Sequence, residues 1–567
     1  MTDVATPARR MRFAVLLDVE SLEQWQHEAL RRLCAVPETE FAFAIVREGG
    51  AAAPARQPKP AWKRLGRHTL YNLVYRRVAR KCAALGRLPL RTAFPGVRVV
   101  PSGTERLPRG RTALPAETLA LCEREGIDML VRFGFGILSG AVLTQPRLGV
   151  WSFHHGDPAE FRGMPPGVWE IIRRAPTTGA IVQRLSETLD GGQVLAMARL
   201  PTRAGSYTRQ LSDLLMGSAP LLAQAAQRCR RDSAPPAIEH GTLGPIYRKP
   251  TTLDTLRLLL RMPAARLAGL ASALFRHQHW RVAAVRRPIA EILAGGLDQR
   301  LPDDGPELRL LAEEPGMFAA DPFVAPADGG GWRLLVERFD WVAGKGHIAL
   351  ADMDAEARFS ALNTCLETPG HLSYPFVQQT AEGPAILPEA TEGGVLRAYP
   401  LGAHAVDPAQ ATRLGAAVLD PTIVEHRGRY WMFYGGDADN TTLHLRHADR
   451  PEGPWTEAAG NPVKIDVANA RPAGAMFRVG DMLIRPAQIC TPHYGRGLVL
   501  NRVDALDEHG YAETAVARIL PPLRGRYRDG VHTIAIAGDW LVFDQARRVW
   551  KWRETLRVLR AKLSGYL

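Results

Sequence analysis

Val150-Trp151-Ser152-Phe153-His154 is an apolar run that ends in a polar side chain, and it lies in the part of the sequence that decides the fold. Upstream, residues 13–17 and 40–46 have the composition of buried strands, and residues 22–33 between them have helical apolar spacing. A strand–helix–strand opening favours a parallel sheet with right-handed crossovers. Ligand sites in such sheets lie at the carboxyl ends of the strands, where His154 is expected.

The bulk composition is that of a large globular protein. The chain has 567 residues, which exceeds one hydrophobic core and predicts two or three domains. No apolar run approaches the ~20 residues that span a bilayer, and the first apolar run ends at Asp18, too early for a signal peptide. Six cysteines without a CxxC pair indicate reduced thiols and a cytoplasmic location.

The net charge of +14 is concentrated in residues 56–91 and 248–287, which also have helical apolar spacing. Basic amphipathic helices bind anionic lipid or nucleic acid, but they are more often the solvated faces of an Arg-rich protein. Under the first alternative the protein is peripheral at the inner face of a membrane. Its lipid contacts would then include Arg257, Arg261 and Arg266.

The sequence pattern changes along the chain and predicts a multidomain protein. We expect an α/β domain over residues 1–205, a helical basic connector over 206–300, an all-β domain over 301–540 and a basic helix over 541–567. Groups of strands in the all-β part open about fifty residues apart, at Asp321-Pro322, Tyr374-Pro375, Asp420-Pro421, Arg471-Pro472 and His532-Thr533. This period predicts a five-bladed propeller, with a β-sandwich with long loops as the alternative.

Residues 128–192 resemble the N-terminal catalytic domain of the folate-dependent formyltransferases, through three segments in the family's order. The segments are Asp128 to Leu138, Ser152-Phe153-His154 with Phe161-Arg162-Gly163, and Gly179 to Gln183 with Leu189-Asp190-Gly191-Gly192. The resemblance implies 10-formyltetrahydrofolate as the co-substrate, catalytic roles for His154 and Asp190, and no metal. It also implies a loop that contacts the folate, formed by Phe133, Gly134, Phe135, Gly136, Ile137 and Leu138.

Formyl transfer to an amine explains these residue types. The oxygen that gains negative charge needs hydrogen-bond donors, and a histidine can supply a donor or transfer a proton. A carboxylate can orient that histidine and accept the proton of the amine. Ser152 stands where the family has asparagine, so either Ser152 with a water or His155 replaces that donor, or the reaction differs. Arg162 is either structural or binds an anionic acceptor.

Residues 318–535 resemble the propeller-like N-terminal domain of plant glucosamine inositolphosphorylceramide transferases, through runs such as His371-Leu372-Ser373-Tyr374-Pro375 and Arg485-Pro486-Ala487-Gln488. The Asp-Pro openings are more distantly similar to those of five-bladed glycoside hydrolases, in which carboxylates from different blades converge. Candidate contacts to a sugar are therefore Asp321, Tyr374, Glu389, Asp420, Arg471, Arg485, Gln488 and His532. Alternatively, the aspartates cap tight turns before strands.

Together the two resemblances predict a formyltransferase that acts on the amino group of a sugar or glycolipid precursor, with a propeller that holds or processes the glycan. One alternative is a carbohydrate-binding protein whose formyltransferase domain is impaired, because Ser152 replaces the asparagine. Another is glycoside hydrolysis by the propeller. Nucleic acid is not expected as a partner, since the tRNA-formylating enzyme follows its catalytic domain with a small β-barrel and this chain predicts helices there.

Overall fold

The computed structural model describes residues 10–49, 66–232, 238, 241–327, 330–380, 382–390, 393–402, 405–436, 440–508 and 510–563. The chain divides into two compact units, Met1–Arg266 and Leu267–Leu567. The start of the first basic stretch, residues 56–65, lies outside the described residues.

The first unit alternates strands and helices. In chain order its elements are β1 (Met11–Leu17), β2 (Ser21–Glu23), α1 (Gln24–Cys34), β3 (Thr39–Arg47), α2 (Thr69–Lys81), β4 (Arg87–Pro89), α3 (Leu90–Ala93), β5 (Arg98–Ser102), β6 (Glu105–Leu107), β7 (Arg111–Ala113), α4 (Ala116–Arg124), β8 (Met129–Arg132), β9 (Ile137–Leu138), β10 (Val150–His154), β11 (Arg162–Gly163), α5 (Val168–Arg173), β12 (Thr177–Arg184), β13 (Gln193–Pro201), α6 (Tyr207–Ser218), α7 (Leu221–Asp232), β14 (Ile246–Tyr247) and α8 (Thr252–Phe275), whose last residues belong to the second unit.

Seven strands of the first unit form one sheet in the order β13-β12-β10-β8-β1-β3-β5, as far as the described residues show. The pairs β1–β3, β1–β8, β8–β10 and β3–β5 are parallel, whereas β10–β12 and β12–β13 are antiparallel. The predicted parallel α/β core is therefore confirmed, with an antiparallel edge. The central strands read as continuous apolar runs because helices or loops cover both of their faces.

The second unit is built mainly of antiparallel strands. In chain order its elements are β15 (His277–Arg286), α9 (Ile289–Ala294), β16 (Asp298–Arg300), β17 (Leu308–Leu310), β18 (Met317–Pro326), β19 (Trp332–Asp340), β20 (Lys345–Met353), β21 (Asn363–Leu366), β22 (Leu372–Thr380), β23 (Gly383–Ala390), β24 (Val395–Pro400), β25 (Thr412–Ala416), β26 (Leu419–His426), β27 (Arg429–Gly435), β28 (Thr442–Ala448), β29 (Thr456–Glu457), β30 (Lys464–Asp466), β31 (Phe477–Val479), β32 (Met482–Ile489), β33 (Gly497–Asp507), β34 (Gly510–Leu520), β35 (Ile534–Ala537), β36 (Trp540–Val549) and α10 (Trp552–Leu563).

These strands pair in successive groups along the chain. β18–β21 and β22–β25 each form a four-stranded sheet, and β26, β27, β28 and β30 pair in sequence. β31–β34 form the next sheet together with β16, and the last has the order β17-β15-β36-β35. In this last sheet β15, from the start of the unit, pairs with β36 near its end, so the unit's two ends are held together.

Two predicted boundaries are wrong. The helical connector expected over residues 206–300 contains the strand β15, and the C-terminal helix expected from residue 541 begins at Trp552, after the strand β36. Both strands contain arginines among apolar residues, a pattern that also predicts a basic helix. They are strands because each faces a core on both sides: Ala283 and Phe543 pack in one apolar cluster, and Val282 and Val542 pack in another.

The expectation that nothing in the chain could span a bilayer also needs correction. Among the described residues, α8 is long and apolar enough to cross a membrane, by length and composition only. Its arginines interrupt every continuous apolar run, but leucines and alanines between them keep the helix apolar on average.

Candidate functional site

Charged and polar side chains collect at one edge of the sheet in the first unit. Arg47 ends β3, Asp18 follows β1, Arg132 ends β8 and His154 ends β10. Arg47 Nη2 lies 3.1 Å from Asp18 Oδ1, and the backbone N–H of Phe135 donates to the same oxygen at 2.8 Å. Because parallel strands end at the same edge, this is the position at which α/β sheets hold ligands.

His154 and Asp190 are in contact at this edge. His154 Nδ1 lies 3.5 Å from Asp190 Oδ1, and His154 Nε2 lies 3.1 Å from the carbonyl oxygen of Phe161. The close approach to Phe161 needs Gly156, where a Cβ would lie 2.3 Å from that carbonyl oxygen. Both ring nitrogens of His154 therefore face oxygen atoms of the protein.

Asp190 is held by the loop that follows β10. It lies in the turn between β12 and β13 with φ of 50°, and its Oδ2 accepts a hydrogen bond from Gly163 N at 3.1 Å. Arg162 Nη2 donates to Leu189 O at 2.9 Å, and Arg162 Nη1 donates to Gly244 O at 3.3 Å. Of the two roles considered for Arg162, these contacts favour the structural one.

Ser152 lies on the same face of β10 as His154, because side chains alternate along a strand. Its Oγ accepts a hydrogen bond from Arg132 Nη1 at 3.0 Å, and Arg132 Nη2 donates to Gly136 O. Burial lowers the pKa of Arg132, while the negative charges of Asp18 and Asp190 act to raise it. A half-buried guanidinium therefore lies beside the serine at the position where the formyltransferases have asparagine.

Arg132 had no role in the sequence analysis. The signal was present, because Arg132 is the last residue of an apolar strand and the next residues form the loop expected to contact the folate. A charged residue at the carboxyl end of a buried parallel strand points to the ligand edge of the sheet.

His155 faces away from this group. Its ring makes an edge contact with Trp25 at 5.0 Å and stacks with Phe153, and its Nε2 lies 3.1 Å from Ser218 Oγ. Burial, and secondarily the neighbouring His154, lower the pKa of His155 to about 3. His155 is thus a neutral core residue, and the structure does not bring it to Ser152.

The loop expected to contact the folate exposes little side-chain surface. Phe133 packs edge-on against Trp25 at 5.5 Å, whereas Phe135 and Leu138 are buried in the core. Ile137 is exposed. A ligand at this loop would contact the Ile137 side chain and backbone, including Gly134 and Gly136.

Glu170 in α5 is buried, and its Oε1 has no hydrogen-bond partner among the residues that the structure describes. Burial raises the pKa of Glu170 from 4.5 to about 7, so the folded state holds this proton more tightly than the unfolded state. The free energy of unfolding should therefore fall by up to about 3 kcal/mol as pH rises from about 4.5 to 7, and level off above that. Urea unfolding of wild type and Glu170→Gln at pH 5 and pH 8 tests this, with Glu105→Gln as an exposed control. Equal pH slopes in wild type and Glu170→Gln would contradict it.

A second polar cluster lies in the second unit, where strand groups open. Asp321, Tyr374 and Asp420 have φ of 49°, 47° and 48°, and each lies at a register shift in the first strand of its group. Positive φ is uncommon for residues other than glycine and collects at functional positions. The three residues therefore occupy equivalent positions in three successive strand groups.

Asp321 is bonded to neighbouring strand groups rather than to its own turn. Its Oδ1 accepts from Thr533 Oγ1 at 2.6 Å, and its Oδ2 accepts from Tyr374 N at 3.1 Å. The backbone N–H of Asp321 donates to Asp544 Oδ2 at 3.1 Å, and His532 Nδ1 lies 2.6 Å from the same oxygen. These contacts join the first, second and last groups, so the turn-capping alternative does not account for Asp321.

Asp420 joins the next groups in the same way. Its backbone N–H donates to Glu389 Oε2 at 3.1 Å, and its carboxylate accepts from Arg471 Nη2 at 3.2 Å and Gln488 Nε2 at 3.4 Å. Arg471 also lies 3.7 Å from Glu389 Oε2, and its guanidinium lies 5.1 Å from the Tyr494 ring. The buried negative charge of Asp420 is thus balanced by Arg471.

Charges in this cluster shift each other's protonation. Burial, and then the nearby Asp420, raise the pKa of Glu389 to about 8. Burial disfavours a charged His532, but Asp544 and Asp321 outweigh it and raise the pKa of that imidazole. Asp321, His532 and Asp544 offer ligand atoms within 4.8 Å of one another, a donor set that could hold a metal ion. However, N–H and O–H groups of the protein already satisfy both carboxylates, and an ion pair with His532 explains the geometry.

Seven of the eight residues predicted for sugar contact belong to this cluster, and Arg485 does not. Arg485 Nη2 lies 2.6 Å from Glu513 Oε1, and Arg485 Nε lies 3.1 Å from Tyr511 Oη. Arg485 and Gln488 are three residues apart in β32, so they face opposite sides of the strand.

Sequence reasoning missed several members of the cluster. Glu337 and Asp544 lie on the second strands of their groups, as Glu389 and Gln488 do. Trp280 stacks on His532 at 3.9 Å between ring centroids. The available signal was one acidic or amide residue within an apolar strand after four of the five openings, which is unusual for a buried position.

Both resemblances are confirmed by comparison with known proteins. Residues 310–528 match the family model for glucosamine inositolphosphorylceramide transferase 1, N-terminal. The protein named glucosamine inositolphosphorylceramide transferase 1 in Oryza sativa subsp. indica is 29% identical over 211 residues, 36% of this chain and 28% of that protein. Methionyl-tRNA formyltransferase of Synechococcus sp. (strain JA-3-3Ab) is 29% identical over 145 residues, 25% of this chain and 45% of that enzyme. The chain matches less than half the length of each relative.

Solved structures of a formyltransferase and of a glycoside hydrolase align with parts of the chain. Phosphoribosylglycinamide formyltransferase from Anaplasma phagocytophilum aligns with 42% of this chain and 100% of its own, at 13% identity and a TM-score of 0.28. A family 117 glycoside hydrolase from Zobellia galactanivorans aligns with 48% of this chain and 91% of its own, at 12% identity and a TM-score of 0.30.

Proposed function

We propose that this chain, which joins a formyltransferase-like region to a domain of the glucosamine inositolphosphorylceramide transferase 1 N-terminal family, transfers a formyl group to an amino group of a sugar or glycolipid precursor. The observation that carries the proposal is the contact between His154 and Asp190 at the ligand edge of the sheet, with Arg132 and Ser152 beside it. Relatives of both regions are transferases by name, which supports the general class.

In this proposal 10-formyltetrahydrofolate supplies the formyl group, and the residues of the chain move protons and stabilise charge. Asp190 accepts the proton that the attacking amine loses, directly or through a water. His154 donates to the oxygen that becomes negative and protonates the leaving nitrogen, and the proton that Asp190 accepted then passes to His154 across their contact, which restores both groups. Arg132 supplies the positive charge and donor that Ser152 alone is too short to provide.

We also propose that the strand groups of the second unit are five blades of a propeller that holds the glycan. Hydrogen bonds that pass from one group to the next support it: Tyr374 to Asp321, Asp420 to Glu389, Arg471 to Asp420, and Ile534 N to Ala473 O at 3.0 Å. Pairing of β15 with β36 closes the last group. A ring of buried polar side chains with adjacent aromatic rings suits the hydroxyl groups and apolar faces of a sugar.

The test is an assay of the full chain with 10-formyltetrahydrofolate and a panel of nucleotide-linked amino sugars and amino-sugar lipids. We expect one class of acceptor to gain the mass of a formyl group. Folate binding is measured in parallel by calorimetry. Binding of folate without formylation of any acceptor would reject the acceptor class. Absence of folate binding would reject formyl transfer and favour the carbohydrate-binding alternative.

Glycoside hydrolysis by the second unit is the competing function, and Glu389 is the observation that favours it. A buried carboxyl group whose pKa is raised to about 8 has the property of a general acid at neutral pH. Against this, Asp420 is already paired with Arg471. An assay with a panel of glycosides tests this function. If wild type hydrolyses a glycoside and the double variant Asp321→Asn with Glu389→Gln hydrolyses it at the same rate, these two carboxyl groups do not catalyse the hydrolysis.

A further inference from the structure

Two helical segments of the second unit expose large apolar side chains. At the end of α8, Leu267 is 68% exposed, and Leu270 and Phe275 are also exposed. At α10, Trp550 and Trp552 are 63% and 57% exposed. Together with Leu556 and Leu559, which are also exposed, we call these seven residues the apolar surface. Monomeric soluble proteins rarely expose contiguous apolar patches of this kind without a binding role.

The two segments adjoin each other. Thr555 Oγ1 donates a hydrogen bond to Leu274 O, and the ring centroids of Phe275 and Trp550 lie 6.5 Å apart. Trp552, Leu556 and Leu559 follow the i, i+4, i+7 spacing of one helix face. The contact between Phe275 and Trp550 therefore brings the exposed apolar residues of the two segments next to each other.

Basic residues accompany the apolar surface. From Lys551 to Lys562 there are five Lys or Arg and a single acid, Glu554. The Arg553 guanidinium lies 5.3 Å from the Trp552 ring centroid, so charge and aromatic surface are adjacent. Tryptophan rings beside lysine and arginine are typical of segments that lie in the headgroup region of a bilayer.

We propose that the apolar surface binds the headgroup region of an anionic lipid bilayer. The tryptophans and leucines insert between acyl chains, and the basic residues pair with lipid phosphates. This inference rests on the proposed function, and it identifies the acceptor as a lipid-linked amino sugar at the membrane surface. The bilayer is favoured over a second protein copy because α10 carries a net positive charge and would repel the same helix of another copy.

The arginines that the sequence suggested for lipid contact are engaged elsewhere in the first unit. Arg261 Nη1 donates to Ile171 O at 3.4 Å, Arg266 Nε donates to Gly205 O, and Arg257 Nη1 lies 3.3 Å from Asp254 Oδ1. Leu258 of α8 is fully buried in a core cluster of that unit. These contacts favour a helix that lies along the protein over one that crosses the bilayer, and they direct the test to α10.

The test is flotation of the full chain with vesicles of phosphatidylcholine alone or mixed three to one with phosphatidylserine. Wild type should bind the anionic vesicles, and a triple variant, Trp550→Ser, Trp552→Ser and Leu556→Ser, should bind at least about tenfold more weakly. The control changes three other exposed leucines of the unit, Leu297, Leu310 and Leu523, to serine and should bind like wild type. Lys551→Glu with Arg553→Glu should abolish the preference for anionic vesicles.

Several outcomes would overturn the proposal. The proposal is overturned if wild type binds neither kind of vesicle. It is also overturned if the control variant loses as much vesicle binding as the triple variant. A shift from dimer to monomer in the triple variant, without vesicle binding by wild type, would assign the surface to a second copy. Formylation of a soluble amino sugar is measured on the same proteins and should be unchanged in the triple variant. A chain that binds vesicles and formylates nothing would reject only the proposed function.

Discussion

His154→Asn is expected to lower the rate of formyl transfer by about 10²- to 10⁴-fold, the usual contribution of a positioned general acid or base. The imidazole contacts Asp190 through Nδ1 and the Phe161 carbonyl through Nε2. Asparagine keeps a polar side chain of similar reach but cannot exchange a proton at neutral pH. The loss should appear in kcat, with folate affinity nearly unchanged, in single-turnover assays with the best acceptor.

His27→Asn is the matched control, because His27 packs against Phe94 in the same unit and belongs to no part of the site. It should retain wild-type kcat. Wild-type kcat in His154→Asn, with the fold intact by circular dichroism, would remove His154 from the chemistry. That result would also leave the impaired-enzyme alternative as the simpler account of any folate binding.

Arg132→Met is expected to lower kcat by about 10²- to 10³-fold, which is what the loss of one oxyanion donor costs in other enzymes. Methionine preserves much of the apolar stem but removes the charge and the hydrogen bond to Ser152 Oγ. Arg132→Lys should recover part of the rate, since the charge returns without the second donor. Arg106→Met, at an exposed arginine of the same unit, should leave kcat unchanged.

Ser152→Asn separates the donor role of Arg132 from a purely structural one. Asparagine restores the amide that the family has at this position, so it should raise the kcat of Arg132→Met severalfold. If Arg132 only supports the fold, the double variant Arg132→Met with Ser152→Asn will have the same kcat as Arg132→Met alone. In that case the folate affinity and the stability of Arg132→Met will fall together with its kcat. The comparison therefore uses kcat, folate affinity and unfolding midpoint for all four proteins.

Local sequence pattern was sufficient for the elements that frame the first site. The apolar run of residues 150–154 coincides with strand β10, and residues 13–17 and 40–46 fall within β1 and β3. These elements are set by apolar runs and helical spacing, which are properties of neighbouring residues. Where the local pattern was ambiguous, as in the arginine-rich β15 and β36, pairing of the two strands overrode helical propensity.

Contacts between distant residues could not be derived from local pattern. His154 and Asp190 were paired by resemblance alone, and Arg132 was overlooked because its role depends on β8 lying beside β10. In the second unit, the link from Asp321 to Thr533 depends on closure of the strand groups. By itself the sequence determined the parallel α/β core, the β-rich second region and most residue types of the two clusters. Only the tertiary structure decided which of those side chains meet, because strand order and register place groups hundreds of residues apart within hydrogen-bond distance.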